Sequence, residues 1–198
     1  PAVENLVKFG QKCIDRGYHI HLDKPAGIDL EEFKHLLMSA KEKNLIIQMG
    51  YMYRYNNAIK YTFNKIKEGF VGTPLSIEAS MSTGLNVDFK KRLKSYNVLA
   101  PSMYIYGCHL IDLIVSILGK PKRVIPFNKK TGIDNLDLED SGFAILEYDK
   151  GIATVRINCS EINGWERREF TVCGDQGTIM VQPIETPSKV VICNKEYA

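Results

Sequence analysis

A lysine at the end of a short apolar strand is the first residue whose position suggests chemistry. The segment GYHIHLDKP (residues 17–25) places Lys24 between an acid and a proline, at a sharp exit from the predicted strand. Open α/β sheets bind their ligands at the carboxyl ends of the strands. Lys24 is therefore a candidate ligand-binding residue. The alternative is that Asp23-Lys24-Pro25 is only a turn.

A histidine near the start of a later apolar helix is the second candidate. In the segment YGCHLID (residues 106–112), His109 and Asp112 are three residues apart and hence on one helix face. Imidazole is well suited to moving protons near neutral pH. The alternative is a hydrogen-bonded core histidine without a catalytic role.

An arginine after a buried strand is the third candidate. Arg54 lies in the segment YRY (residues 53–55), just past an apolar run that ends at Met49. Its guanidinium would grip an anion or a hydroxyl-rich ligand, or it would only close an ion pair.

Helices and strands alternate in the first third of the chain. Asp29, with Glu32 three residues later, predicts the capped start of a helix whose apolar stripe includes Leu30 and Leu37. A continuous apolar run predicts a strand buried on both faces of a parallel sheet. The predicted order is a helix over 3–16 ended by Gly17, a strand over 18–22, the capped helix, a strand over 45–49 and a helix over 57–68.

Strands dominate the rest of the chain. Alternation over 75–81 predicts a strand with one wet face, and a polar loop of about 15 residues follows. The basic stretch FKKRLKSY (residues 89–96) lies in that loop and is either a solvated segment or one that contacts phosphate or closes over a ligand. After a helix over 101–118, two hairpins (143–158 and 168–181) and a last strand over 190–193 are predicted.

These patterns predict an α+β fold in two domains. Residues 1–68 read as the C-terminal remnant of a doubly wound, Rossmann-like α/β layer, because the series begins with a helix whose preceding strand is missing. Residues 69–198 read as an open, mainly antiparallel sheet with one face covered by a helix. We expect upstream βα units to be absent from this sequence.

Composition excludes several function classes. The net charge is +3, with 26 basic and 23 acidic residues, which is a weaker basic excess than a nucleic-acid binder shows. No apolar run is long enough to span a membrane, and the first ten residues do not resemble a signal peptide. The five cysteines include no C-x-x-C pair, which favours reduced thiols in a cytoplasmic protein.

Together these segments resemble the glucose–fructose oxidoreductase, inositol dehydrogenase and rhizopine-catabolism (Gfo/Idh/MocA) family. Residues 17–25 are similar to its A-G-x-H-V-x-x-E-K-P segment, with Asp23 where glutamate is usual. Residues 53–55 resemble its x-R-[FY] segment, and residues 107–112 its G-x-H-x-x-D helix start. The motif L-G-K-P at 118–121 and the hairpin G-x-x-G-[TS] at 174–178 follow in the family's order.

The resemblance implies a two-domain enzyme that moves a hydride between NAD or NADP and a hydroxyl-bearing carbon of a sugar, polyol or inositol. Lys24 would hydrogen-bond the reacting oxygen and the nicotinamide ribose, and His109 would exchange that oxygen's proton. Asp23, Pro25 and Arg54 would join Lys24 in cofactor binding. Tyr106, His109 and Asp112 would contact the substrate. The resemblance also implies a cis peptide bond at Lys24-Pro25.

Two departures from the family pattern affect this interpretation. Many members carry an aspartate four residues before the histidine, where this chain has Ile105, although Tyr104 and Tyr106 flank that position. No G-x-G-x-x-G occurs, and this fingerprint needs a βαβ unit of its own. We therefore expect the isolated chain to bind nicotinamide nucleotides weakly or not at all.

Two other classes of function stay open, together with the state of assembly. His19, His21 and Asp23 alternate along one strand, which would suit a metal-dependent hydrolase if further ligands came from elsewhere. The Ile105 departure would suit a non-catalytic sensor or assembly domain on the same fold. Pairing of two antiparallel sheets would give a homodimer or homotetramer, as is common in the resembled family, if the second sheet face is apolar.

Overall fold

The computed structural model describes residues 3–185 and 187–196. Five α-helices and nine strands in this part of the chain form a two-stranded parallel sheet and a seven-stranded sheet. The helices are α1 (Leu6–Asp15), α2 (Leu30–Glu42), α3 (Asn57–Lys67), α4 (Val87–Ser95) and α5 (Cys108–Leu118). The strands are β1 (Ile20–Leu22), β2 (Ile47–Met49), β3 (Pro74–Ser80), β4 (Arg123–Lys130), β5 (Glu139–Glu147), β6 (Ile152–Asn158), β7 (Glu169–Gly174), β8 (Gly177–Val181) and β9 (Val190–Asn194).

The first layer alternates helix and strand as predicted. The Asp29 carboxylate accepts hydrogen bonds from the backbone N–H groups of Glu31 and Glu32 at 2.8 and 2.9 Å, so it caps α2. Gly17 follows α1 with a φ of +82°, the left-handed conformation that ends many helices. β1 and β2 pair in parallel, and α1, α2 and these strands share a small core.

The prediction that residues 45–49 form a strand buried on both faces was wrong. The strand is shorter, its three residues are half-buried or exposed, and Ile46 is 65% exposed. The expected stripe of α2 is also partly in solvent, since Leu30 is 66% and Leu37 43% exposed. The physical reason is that few other elements pack on β2. Within the described residues β2 pairs with β1 alone, so its faces and its other edge stay largely uncovered.

The large sheet has the strand order β4-β5-β6-β3-β7-β8-β9. Both predicted hairpins and the last strand are present, and the β5–β6 turn is closed by a Tyr148 N–H that donates to the Gly151 carbonyl at 3.0 Å. One pair departs from antiparallel order, because β3 lies parallel to β6. The long crossover through α4 and α5 makes this parallel pairing possible.

The predicted polar loop after β3 is in fact partly helical, which corrects the sequence analysis. α4 covers residues 87–95, and the Asn86 side chain caps it by accepting from the Phe89 N–H at 3.0 Å. Lys90 is 1% exposed and bonds to the Asp134 carboxylate and the Ser160 hydroxyl, both at 2.7 Å. This lysine is therefore neither solvated nor free to meet a phosphate, because its charge is neutralised inside the fold.

The helix predicted over 101–118 is continuous but not uniform. Residues 103–107 form a π-helical turn that leads into α5. Such turns insert an extra residue and shift the faces of the helix that follows. The turn carries Tyr104, Ile105 and Tyr106, and His109 follows one residue into α5.

One face of the large sheet packs on helices, and its strands alternate as half-covered strands do. The covered row at one level consists of Ala144, Val155, Ala79, Phe170 and Val181, all of them at most 5% exposed. α5 packs against this face with the fully buried side chains of Leu110, Leu113 and Ile114. The molecule therefore has the predicted α+β fold, with a mainly antiparallel sheet covered on one side.

The division of the chain at residue 68 stays a prediction. The described residues form two separate clusters of buried side chains, one in the first layer and one beneath the large sheet, but Val3, Tyr53 and Ile59 belong to the second cluster. None of the helices in the described residues combines the length and the apolar composition that a membrane span requires.

Candidate active site

Lys24 and His109 lie 85 positions apart in the sequence and line one cavity of about 500 Å³. Lys24 follows the tip of β1, and His109 comes from the first turn of α5. The cavity lies between this edge of the first layer and loops at the end of the large sheet. Its lining is Lys24, Met52, Met81, Thr83, Gly84, Leu85, Asn86, Phe89, Tyr106, His109, Trp165 and Arg168.

The Lys24 ammonium is held at the cavity by the π-helical turn. Its Nζ donates to the Ile105 carbonyl at 2.8 Å and lies 5.7 Å from the centre of the Tyr106 ring. No ion pair joins it to a described residue, so two of its three N–H donors remain for a ligand. The peptide bond between Lys24 and Pro25 is cis, as the resemblance implied.

His109 is a buried side chain without a partner. It is 3% exposed, and its Nδ1 has no hydrogen bond in the described part of the chain. The rings of Tyr53 and Tyr51 lie 5.3 and 6.2 Å from the imidazole, the latter edge-on. Leaving a buried nitrogen unpaired costs on the order of 1–3 kcal/mol, which is tolerated where a ligand or water completes the site.

The surroundings of His109 favour the neutral imidazole. Burial lowers the pKa of His109 to about 4, and the positive charges of Lys24 and Arg168 act in the same direction. Asp23 acts in the opposite direction but does not reverse the shift. His109 is thus an unprotonated proton acceptor at neutral pH.

Ile105 occupies the position at which a carboxylate was expected. Its side chain is 8% exposed and packs in the main core, while its backbone carbonyl accepts from Lys24. A main-chain oxygen therefore orients the lysine in this chain. Tyr104 does not replace the missing acid in the cavity, because its hydroxyl donates to the Gly27 carbonyl.

Arg54 and Asp112 pair with each other. The guanidinium donates twice to the Asp112 carboxylate, at 2.6 and 2.5 Å, and this contact raises the pKa of Arg54. Both residues line a neighbouring cavity with Tyr51, Tyr104 and Cys108 instead of the one that holds Lys24 and His109. The structure brings Tyr106, His109 and Lys24 together. It places Arg54 and Asp112 elsewhere, and their predicted binding roles stay predictions.

The far wall of the cavity was missed in the sequence analysis. Trp165 and Arg168 come from the segment before β7, and the guanidinium lies 3.5 Å from the centre of the indole ring. The only tryptophan of the chain, beside two arginines just ahead of a strand, was the signal available. It was not sufficient, because a sequence pattern does not show which distant loops meet.

Arg168 is fixed by a buried network. Its Nε donates to the Ser82 carbonyl at 3.0 Å and its Nη1 to the Glu185 carboxylate at 2.5 Å. The Tyr53 hydroxyl donates to the same Glu185 oxygen. The network joins Tyr53 to Glu185, after β8, and fixes the position of Arg168, which lines the cavity beside Trp165.

The hydrolase alternative receives no support from the geometry. His19 uses its Nδ1 to accept from the Ile46 backbone N–H at 2.9 Å. Among the described residues, no group of three or more histidine, cysteine, aspartate or glutamate side chains is placed to hold a metal ion.

The architecture is an open, mainly antiparallel sheet that helices cover on one face, with a lysine and a histidine meeting in a cavity at its end. The chain belongs to the GFO/IDH/MocA family: residues 62–180, more than half of the sequence, match its C-terminal domain.

Two curated relatives show the range of reactions around this fold. The 2,7-anhydro-N-acetylneuraminate hydratase of Escherichia coli (strain K12) is 23% identical over 181 residues, covering 88% of this chain and 48% of the relative. The scyllo-inositol 2-dehydrogenase (NADP(+)) of Bacillus subtilis (strain 168) is 24% identical over 138 residues, covering 70% of this chain and 38% of the relative. The chain thus spans about half, or less, of the length of these relatives.

Solved structures share the fold at low sequence identity. The WlbA dehydrogenase from Bordetella pertussis, in complex with NADH and UDP-GlcNAcA, superposes with a TM-score of 0.83 at 14% identity, over 93% of this chain and 54% of that one. An inositol dehydrogenase homolog complexed with NAD+ from Azotobacter vinelandii gives 0.81 at 17% identity, over 98% and 55%.

Proposed function

We propose that this chain forms the substrate-binding and proton-transferring part of an NAD- or NADP-dependent oxidoreductase acting on a hydroxyl-bearing carbon of a sugar, polyol or inositol. The observation that carries the proposal is the shared cavity of Lys24 and His109, in which a fixed cation faces a neutral, unpartnered imidazole. Family membership and the dehydrogenases among the relatives support it.

The residues present suit a nicotinamide nucleotide and a carbinol. The orphaned Nδ1 of His109 indicates that the site is completed by a hydrogen-bonding ligand, and Lys24 has donors to offer it. Lys24, with Asp23 and Pro25 beside it at the end of β1, would hold the cofactor, which supplies hydride exchange when bound. The choice between NAD and NADP stays open.

The chain's own residues would handle the proton and the charge. When hydride leaves the carbon, the hydroxyl becomes a carbonyl and its proton must move to a base. Neutral His109 accepts this proton in oxidation and returns it in reduction. The Lys24 ammonium stabilises the negative charge that develops on the oxygen, and the Ile105 carbonyl fixes its position.

The test is turnover by the complete protein with nicotinamide nucleotides and a panel of sugars and inositols. Lys24→Ala and His109→Ala should each lower kcat/KM at least about tenfold, because each removes a group that acts in the transition state. Circular dichroism and thermal unfolding would verify that both variants remain folded.

Matched controls come from exposed residues outside the cavity. Lys34→Ala and His35→Ala remove the same side-chain types from α2 and should leave turnover unchanged. Wild-type rates in either cavity variant would refute the assigned roles. No turnover of any panel member by the wild type would favour the non-catalytic sensor or assembly domain.

We further propose that the large sheet joins two or four copies of the chain and that the protein acts in the cytoplasm. The support for assembly is the second face of the sheet, over which no helix of the described residues packs. The support for the location is that all five cysteines are free thiols.

A further inference from the structure

The described lining of the cavity offers hydrogen-bond donors and positive charge but no carboxylate. Of its twelve lining residues, Lys24 and Arg168 are cationic, and none is aspartate or glutamate. The Asn86 Oδ1 already accepts the hydrogen bond that caps α4, so the amide N–H groups of Asn86 remain for a ligand. A ligand rich in acceptors, with negative charge, complements such a lining.

Arg168 has one guanidinium nitrogen without a hydrogen-bond partner among the described residues. Nε and Nη1 are used within the protein, whereas Nη2 makes no hydrogen bond to a described residue. The group is 2% exposed, stacked on Trp165 and anchored at two nitrogens, so little conformational entropy is lost when it binds an anion.

Acids are nearby, but they do not occupy the cavity. Glu185 lies on the Nη1 side of Arg168 and offsets part of its charge, and exposed Asp23 lies beside Lys24 in the chain. Neither lines the cavity. An anion that enters the cavity therefore meets Lys24 and Arg168 in its lining, whereas Glu185 and Asp23 lie outside that lining.

We propose that the substrate bears a carboxylate and that Arg168 binds this group, while Lys24 and His109 act on a hydroxyl of the same molecule. The inference rests on the proposed function, since it takes this cavity as the substrate site. A sugar acid fits the donors better than a phosphorylated sugar, because one unpartnered guanidinium nitrogen beside the Arg168–Glu185 ion pair suits a monoanion better than a dianion. The bound carboxylate would also offset the cations that disfavour a proton on His109.

The test uses the fluorescence of Trp165, the only tryptophan of this chain, in the complete protein with Trp165→Phe as the blank. The probes are D-glucuronate and D-galacturonate, the neutral D-glucose and D-galactose, and D-glucose 6-phosphate. Each uronate should bind at least about tenfold more tightly than its neutral sugar, the range expected of a charge-assisted hydrogen bond.

The variant that removes the interaction must not leave an unpaired acid. Arg168→Gln alone would strand Glu185, so Arg168→Gln is combined with Glu185→Gln, which keeps a neutral pair. This double variant should bind uronates and neutral sugars within about twofold of each other, the precision expected without the charge. The control is Arg167→Gln, because Arg167 is exposed, pairs with Glu161 at 2.6 Å and does not line the cavity.

Several results would overturn the inference: absence of uronate binding, equal affinity for a uronate and its neutral sugar, an uronate preference that survives in the double variant, or tighter binding of the sugar phosphate. Failure of the proposed function would look different. A preference for uronates without any hydride transfer would refute the proposed oxidoreductase function. Oxidation of neutral sugars without a preference for uronates would refute only the inference that the substrate bears a carboxylate.

Discussion

At the scale of single residues, the burial of His109 determines what this site can do. Two effects lower its pKa to about 4: loss of solvation in the cavity wall and the positive charges of Lys24 and Arg168. An imidazole that stays neutral near pH 7 can accept a proton whenever substrate is bound. The folded state keeps this imidazole unprotonated at pH values at which the unfolded chain would bind a proton.

The difference in the pKa of His109 between the folded and unfolded states predicts that stability depends on pH. In the unfolded chain a histidine titrates near pH 6.5, so between about 6.5 and 4 the unfolded state binds a proton that the folded state does not. Stability therefore falls as pH falls through this window. The expected loss for the single group is about 2 kcal/mol of unfolding free energy between pH 7 and pH 5. Urea unfolding at the two pH values measures it.

The variant His109→Gln isolates this contribution, since it keeps a polar group that does not titrate. Its unfolding free energy should change by about 2 kcal/mol less than that of the wild type over the same interval. Exposed His35 provides the control, and His35→Gln should follow the wild type. A His109→Gln variant with the full wild-type dependence would show that the imidazole is not held neutral.

At the scale of elements, α4 is held in place by an ion cluster under its surface. The Lys90 side chain, 2% exposed, bonds to Asp134 and lies 3.8 Å from the Asp140 carboxylate, which is 3% exposed. The same carboxylate accepts from the hydroxyls of Thr131 and Ser160. Since Asn86 caps α4 and Phe89 lies in it, this cluster also positions part of the cavity wall.

Lys90→Met should therefore destabilise the protein strongly. Removing the cation leaves Asp140 buried and unpaired, which costs about 3 kcal/mol or more in comparable sites. The matched control is its exposed neighbour, and Lys91→Met should change the unfolding free energy by less than about 0.5 kcal/mol. Equal effects of the two substitutions in denaturant unfolding would contradict a structural role for Lys90.

At the scale of the whole molecule, the large sheet has a face that carries no helix in the described structure. One row across all seven strands consists of Ile125, Ile145, Thr154, Glu78, Thr171, Met180 and Val191. This face is only partly apolar, because Glu78 interrupts the row and Arg156 lies in the next. Mixed faces of this kind are typical of interfaces between proteins, which carry polar groups among apolar ones.

We expect the complete protein to be a dimer or larger in light scattering, with this face buried. Ile145→Lys places a charge among half-buried apolar neighbours and should shift the distribution toward monomer, because a buried unpaired charge is costly. Tyr61→Lys, which alters an exposed apolar residue of α3 away from the sheet face, should leave the size unchanged. A monomeric wild-type protein would refute the proposal that the large sheet joins copies of the chain.

Much of this architecture was predictable because it depends on neighbours in the chain. The cap at Asp29, the left-handed glycine at 17 and the hairpin turn at 149–151 are all decided within a few residues. The errors have the opposite cause. The burial of β2 depends on what packs over it, and α4 was missed because its buried lysine resembled a solvated charge in the sequence.

The sequence by itself predicted the succession of helices and strands apart from α4, the types of the candidate site residues and the family resemblance that paired Lys24 with His109. Only the tertiary structure decided that a carbonyl of Ile105 orients the lysine, that Arg54 is taken by Asp112, and that Trp165 and Arg168 close the cavity. These contacts join residues far apart in the chain. Their formation depends on the packing of whole elements, which no local pattern specifies.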